Sequence, residues 1–214
     1  MPYFKMSTIT STKELTYLRI LFFTFGLGIM SWVPRFPEVK DALKLTNGGF
    51  GSLISTGSLG SLISLLTVGH IVHRIGVKRV LYAASFFLMA PLIILTSVES
   101  SLIFFFANIA FGAAISAFHI AINAQGFNYQ DRTGKFIITQ MSGLWSAGAL
   151  ITAFISGFLV DRVSLETHVG VLVLVIFLIQ SVVISSLTPE LLKANQEIDI
   201  DYKLKELFVG FSFD

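Results

Sequence analysis

The chain has 214 residues, 54% of them hydrophobic and 13% charged, with a mean hydropathy of +0.78. A soluble domain carries about 25% charged residues, so this composition excludes a water-facing globule and points to an integral membrane protein. The net charge of +2 decides little by itself, and the absence of cysteine excludes disulfides, thiol catalysis and thiolate metal sites.

Six apolar stretches follow one another, each close to the ~20 residues that cross a bilayer as helix. They run over Tyr17–Val33, Phe50–Val72, Val80–Thr96, Ser101–Asn123, Ile137–Val160 and Gly170–Thr188. A barrel strand needs only about ten residues of alternating character, and these runs are longer and apolar all round. The expectation is an all-α membrane protein with a six-helix bundle over residues 1–188. With the N-terminus inside, eleven Lys and Arg fall in inside segments and four, Arg35, Lys40, Lys44 and Arg162, in outside ones. The positive-inside rule then puts both termini in the cytoplasm. All thirteen acidic residues lie outside the apolar cores, which leaves His119 as the titratable candidate at membrane depth.

The chain also resembles itself at an offset of 88 residues. Ser58-Leu-Gly60-Ser-Leu62-Ile63 aligns with Ser146-Ala-Gly148-Ala-Leu150-Ile151, and Gly69-His-Ile-Val72-His73-Arg74 aligns with Gly157-Phe-Leu-Val160-Asp161-Arg162. This brings span 2 onto span 5. Three spans per repeat is an odd number, so the two copies have opposite topology, an arrangement found in several transporter folds.

In the first loop, the prolines at 34 and 37 end span 1, and Thr46 or Asn47 can cap span 2. Trp32 sits near the outer interface, where an aromatic-belt role is expected. The span 2–3 connection reads Gly69-His-Ile-Val-His73-Arg74-Ile-Gly76-Val-Lys78-Arg79. Gly69 permits close helix approach, Gly76 a tight turn, and the bland alternative is a basic turn obeying the positive-inside rule. Along span 4, Asn108, Gly112, Ser116, His119 and Asn123 recur every three or four residues and share a face. Gly112 and Ser116 suit helix packing, whereas Asn108 and His119 are equally candidates for a solute path. Trp145 lies about nine residues into span 5, roughly 13 Å deep at 1.5 Å per residue. It either packs in the core or offers a flat face to a sugar. Gln180 is at similar depth in span 6. Asp161-Arg162 is expected to form a local pair or to cap span 5.

The span 2–3 connection resembles the loop signature of the major facilitator superfamily, Gly-x-x-x-Asp-Arg-x-Gly-x-Lys/Arg-Lys/Arg, with His73 in place of the Asp. The first loop, from Trp32-Val-Pro34-Arg35 to Gly51, is similar to that of the fucose-permease-like bacterial branch. So are Asn123-Ala-Gln125 in span 4 and Gly143-Leu-Trp145-Ser146-Ala-Gly148 in span 5, with Ile122 and Ser142 replacing that branch's Met and His, and His119 standing where it has an acid. The resemblance implies half of a twelve-helix fold, built as two inverted three-helix repeats, with 189–214 as a cytoplasmic linker to a missing second half. It implies a secondary transporter in a bacterial inner membrane that moves a small polar solute such as a sugar. The pathway residues would be Asn108, His119, Asn123 and Trp145. The gating loop would be Gly69, His73, Arg74, Gly76, Lys78 and Arg79, and span 6, with Gln180, would be peripheral. Two alternatives stand beside it: a transport-inactive membrane fragment, and a rhomboid-type protease, against which Gly143-Leu-Trp-Ser146 has the wrong spacing. No metal, cofactor or nucleic-acid partner is called for.

Overall fold

A computed structural model describes the backbone of residues 8–187 and the side chains of residues 12–187. The expected linker, 189–214, lies outside the described residues. Helices α1 (Thr8–Met30), α2 (Phe36–Ala42), α3 (Asn47–Ser55), α4 (Gly57–Ile75), α5 (Val77–Ser97), α6 (Ser101–Thr133), α7 (Ile138–Leu159) and α8 (Leu165–Ser186) account for nearly all of it. Among the described residues there is no strand. Six helical stretches are long and apolar enough to cross a membrane, and the chain is an integral membrane protein of the all-α class. Because the spans alternate, one end of the bundle carries the start of α1, the α4–α5 and α6–α7 turns and the end of α8. This is called the basic end below; the other end carries α2.

The helix boundaries follow local chemistry. α1 stops at Met30, and Pro34 sits in a 3-10 turn, Val33–Arg35, that feeds α2. Thr46, not Asn47, caps span 2: its hydroxyl accepts from Gly49 N at 3.1 Å. Span 2 is divided at Thr56 into α3 and α4. Gly76 closes the α4–α5 turn at φ 88°, a backbone angle that costs glycine nothing. α6 continues ten residues past the expected end at Asn123, where its sequence turns polar, and stops at Gly134.

Two pairs of helices cross at backbone contact. In the first, α1 on α7, a Cβ added to Gly26 would strike the carbonyl of Trp145, and one added to Gly148 would strike the carbonyl of Phe23 and approach Leu27 N. In the second, α6 on α4, a Cβ on Gly112 would strike the carbonyl of Gly57, and one on Gly60 would strike that of Ile109 and approach Ala113 N. The two crossings are copies. Gly60 and Gly148 differ by 88 residues, as do Gly57 and Trp145; Gly26 and Gly112 differ by 86, as do Phe23 and Ile109. The internal repeat is thus carried by the packing, with two residues fewer separating the equivalent positions of spans 1 and 4. α5 and α8 back the two crossings and pack on each other.

Side chains fill the bundle from both ends. Toward the basic end the core holds Leu18, Phe22, Leu81, Phe118, Tyr129 and Ile184. Toward the other end it holds Val39, Leu92, Leu95, Phe104 and Val169, together with Trp32. Trp32 is therefore not an interfacial belt residue. It is 3% exposed and packs edge-on against Phe36 and Phe111 at 4.8 and 5.8 Å between ring centroids. The loop after α1 folds back over the helix ends and buries it.

The crossings predict an asymmetry among glycines. Gly60→Val and Gly148→Val should each destabilise the detergent-solubilised chain by at least the ~1–3 kcal/mol typical of overpacking, and by similar amounts. Gly157→Val, whose Cβ would meet nothing within 4 Å, should cost far less. Thermal unfolding followed by circular dichroism checks this.

Candidate functional site

His119, the candidate at membrane depth, stands exposed on α6 and stacks against Phe25 of α1, with ring centroids 6.1 Å apart. Asn123 lies one turn further on and donates to the His119 carbonyl at 2.8 Å. Trp145 is half-buried on α7, and its carbonyl is the one that abuts Gly26. Consecutive residues of α1, Phe25 and Gly26, thus touch His119 on one side and the Trp145 backbone on the other. The structure brings His119, Asn123 and Trp145 to the same stretch of α1, with Ser142 and Ser146 exposed on the neighbouring turns of α7.

Asn108 is elsewhere. It is 4% exposed, eleven residues before His119 on α6, and its amide is committed to the break in span 2. Nδ2 donates to the Leu53 and Ile54 carbonyls at 3.1 and 2.8 Å and to Thr56 Oγ1 at 3.1 Å. Where α3 gives way to α4, Thr56 N and Thr56 Oγ1 donate to the Leu53 carbonyl, and the Asn108 amide adds hydrogen bonds from across the crossing. Ser61 adds a bond to the Gly112 carbonyl at 3.0 Å.

The residues of the expected gating loop divide similarly. His73, Arg74 and Arg79 are exposed at the basic end, and Gly76 makes the turn. Lys78 is half-buried and spans to α8, where Nζ donates to the Ser185 and Leu187 carbonyls at 2.9 and 2.7 Å. It caps the C-terminus of span 6, a favourable place for a cation. Gly69 has nothing within 4 Å of its Cβ position, so the close approach it permits is not used inside this bundle.

Two polar groups, around Glu14 and Arg35, were not singled out by sequence reasoning, and a third, Gln180, was placed only by depth. At the basic end Glu14 is 1% exposed, although its sequence position is outside the apolar core. It accepts from Arg132 Nη2 at 2.6 Å and from Gln125 Nε2 at 2.8 Å, which ties the start of α1 to the end of α6. Arg132 also donates to Asn128 Oδ1 at 2.9 Å. In mid-bundle Gln180 is buried, not peripheral. It accepts from Ser85 Oγ at 2.6 Å and donates to Thr24 Oγ1 at 3.2 Å, joining α1, α5 and α8 beside a cavity of about 30 Å³. At the other end Arg35, 2% exposed, holds Glu38 in a two-point pair at 2.6 and 2.7 Å. The Asp161–Arg162 pair does not form: Arg162 donates to the Phe158 carbonyl and lies over the Phe158 ring, so it caps α7 by itself. The sequence signal for the first group was Gln125, which stands beside Asn123 in the span 4 motif. The Gln180 contacts join helices distant in sequence, whereas Arg35 and Glu38 are a local pair three residues apart.

Among the described residues no cluster of three or more His, Asp or Glu could hold a metal. The geometry is that of a six-helix membrane bundle with a polar aromatic patch on one open side of α1. No family model matches the sequence. A stretch of 135 residues, 63% of the chain, is 24% identical to an uncharacterised MFS-type transporter of Yersinia pestis and covers 35% of that protein's length. The chain therefore resembles a transporter over about a third of that transporter's own length.

The Glu14–Arg132 pair sets a stability prediction. Arg132→Gln removes the 2.6 Å charge-assisted bond from a buried carboxylate and should cost up to about 3–5 kcal/mol. Glu14→Gln combined with Arg132→Gln should recover part of that loss. Unfolding of the single and double variants, compared as a cycle, checks it.

Proposed function

We propose that the chain is the N-terminal six-helix half of a secondary transporter of the major facilitator superfamily. In this reading it joins a second six-helix half and moves a small polar solute, of the sugar class, by rocking the halves about a central site. The fucose-permease-like branch is the favoured home. The observation that carries the reading is the pair of repeat-related glycine crossings, which make two three-helix units that exchange under one two-fold relation. The similarity to an MFS-type transporter supports it independently.

A second observation supports the partner half. Spans 2 and 5 are the least enclosed, with 17% of the most apolar window of each buried against 33–44% in the other four. They are also repeat equivalents. A second half seated on both would cover the open sides of α4 and α7 and enclose His119, Asn123 and Trp145 in the middle. His119 and Asn123 would hydrogen-bond the solute, and the Trp145 ring would offer its face to a sugar. Asn108 acts at one remove by holding the break in span 2. His73, Arg74, Gly76 and Arg79 would meet the second half at the cytoplasmic end, with Lys78 fixing the turn against α8. Both termini are then cytoplasmic and the membrane is a bacterial inner membrane.

The test uses the two tryptophans. In Trp32→Phe, Trp145 is the single indole of this half, and with any tryptophans of the second half also replaced by Phe its fluorescence should respond to the transported sugar in the intact transporter. His119→Ala should weaken that response roughly tenfold, or about 1.4 kcal/mol of binding. Gly69→Leu or Arg74→Gln should abolish uptake into proteoliposomes while leaving the fold intact. Unchanged uptake in both would sink the gating role, and no response to any sugar would sink the substrate class.

A further inference from the structure

A groove of about 360 Å³ runs along the outside of the bundle between α4 and α5, floored by α6. The floor is alanine, at 110, 113, 114 and 117, and the walls are mainly aliphatic. On α4 it extends from Ile63 to Ile75, about 18 Å at 1.5 Å per residue. That matches one leaflet, about 15 Å of a ~30 Å hydrocarbon core.

Its length and its apolar lining suit one extended hydrocarbon chain. Charge decides what is attached to it. The groove starts at the α4–α5 turn, with Ile75 and Val80 at its mouth, and exposed Arg74 and Arg79 adjoin them in sequence. No Asp or Glu occurs between Asp41 and Glu99, so α3, α4 and α5 carry no compensating acid. Among the described residues neither arginine is in an ion pair. α6 brings one exposed acid, Asp131, to the same end.

We propose that this groove is a binding site for an anionic phospholipid, with one acyl chain on the alanine floor and the phosphate between Arg74 and Arg79. Basic residues at the end of an intramembrane cleft are the expected recognition element for such headgroups. Arginine suits phosphate because its planar fork can give two parallel hydrogen bonds. This chain alone carries every residue of the site, and in an assembly with the proposed second half Arg74 and Arg79 would be shared between the lipid phosphate and that half.

The full chain, purified and reconstituted into nanodiscs of phosphatidylcholine with or without phosphatidylglycerol, provides the test. Native mass spectrometry after detergent extraction should find one phosphatidylglycerol retained per chain in preference to phosphatidylcholine. Ala83→Phe, which fills the groove from α5, should reduce that retention roughly tenfold. Ala117→Leu, filling it from the floor, should act in the same direction and serves if the first variant does not fold. Arg74→Gln with Arg79→Gln should erase the preference for phosphatidylglycerol while leaving lipid retention itself. Equal retention of the two lipids by the native chain overturns the proposal, as does retention unaffected by the filling variants. Displacement of the lipid by glycerol 1-phosphate alone would mark a soluble-phosphate site instead. Cross-linking of two chains through Cys placed at Ala83 would mark a contact between copies, and either result overturns the lipid assignment.

Discussion

Backbone contact between helices is the constraint on which this bundle rests. In lipid, hydrophobic burial gives no preference for helix against helix over helix against acyl chain, so association depends on packing and hydrogen bonds. Close packing requires that nothing stand between two backbones. Gly26, Gly60, Gly112 and Gly148 meet that requirement at two crossings. α1 is locked to α7 and α6 to α4, and α5 and α8 then have two paired surfaces to lie on. Asn108 and Ser61 add interhelical hydrogen bonds at the second crossing. The break in span 2 is satisfied locally by Thr56 and from across the crossing by the amide of Asn108.

Polar groups tighten the frame where it would otherwise be loose. Glu14, Gln125 and Arg132 hold α1 to α6 at the basic end, beyond the stacking of Phe25 on Phe118. Thr24, Ser85 and Gln180 join the helices behind α1. Lys78 ties the α4–α5 turn to the end of α8. Each links elements far apart in sequence, so the bundle is cross-braced at the basic end and in the middle. Such bracing is what the proposed rocking of two halves would need, since flexing within a half would dissipate the motion.

How much of this was legible in the sequence depends on the range of the interaction. The six spans and the repeat were legible because composition and spacing are local properties. Capping by Thr46 was open between two neighbours and was decided by one hydroxyl. The end of α6 was missed by ten residues because the helix leaves the apolar zone at Asn123 and continues as polar helix, where hydropathy carries no signal. Trp32 was misplaced because a chain position near a span end says nothing about a loop folding back over it. Glu14 and Gln180 were misjudged for a similar reason: burial of a polar group depends on a partner more than a hundred residues away. Of the candidate path, His119 and Asn123 share a helix and were legible as neighbours. The placement of Trp145 across α1 and the diversion of Asn108 into the span 2 break required the packing.

One further comparison separates the glycines by what they do. Gly60 and Gly148 are repeat equivalents, and both carry a backbone crossing. Gly69 and Gly157 are also repeat equivalents, 88 residues apart on the same two spans, and neither has a neighbour within 4 Å of its Cβ position. A glycine inside a helix costs about 0.5–1 kcal/mol relative to alanine, and on a lipid-facing surface nothing offsets that cost. Two such residues at equivalent places, on the two least enclosed spans, fit the proposed seating of a second half on these faces. The four glycines then form two sets, one closing each crossing within this bundle and one awaiting the proposed second half. The arrangement accounts for why Gly69 belongs to a loop signature in sequence and yet touches nothing here.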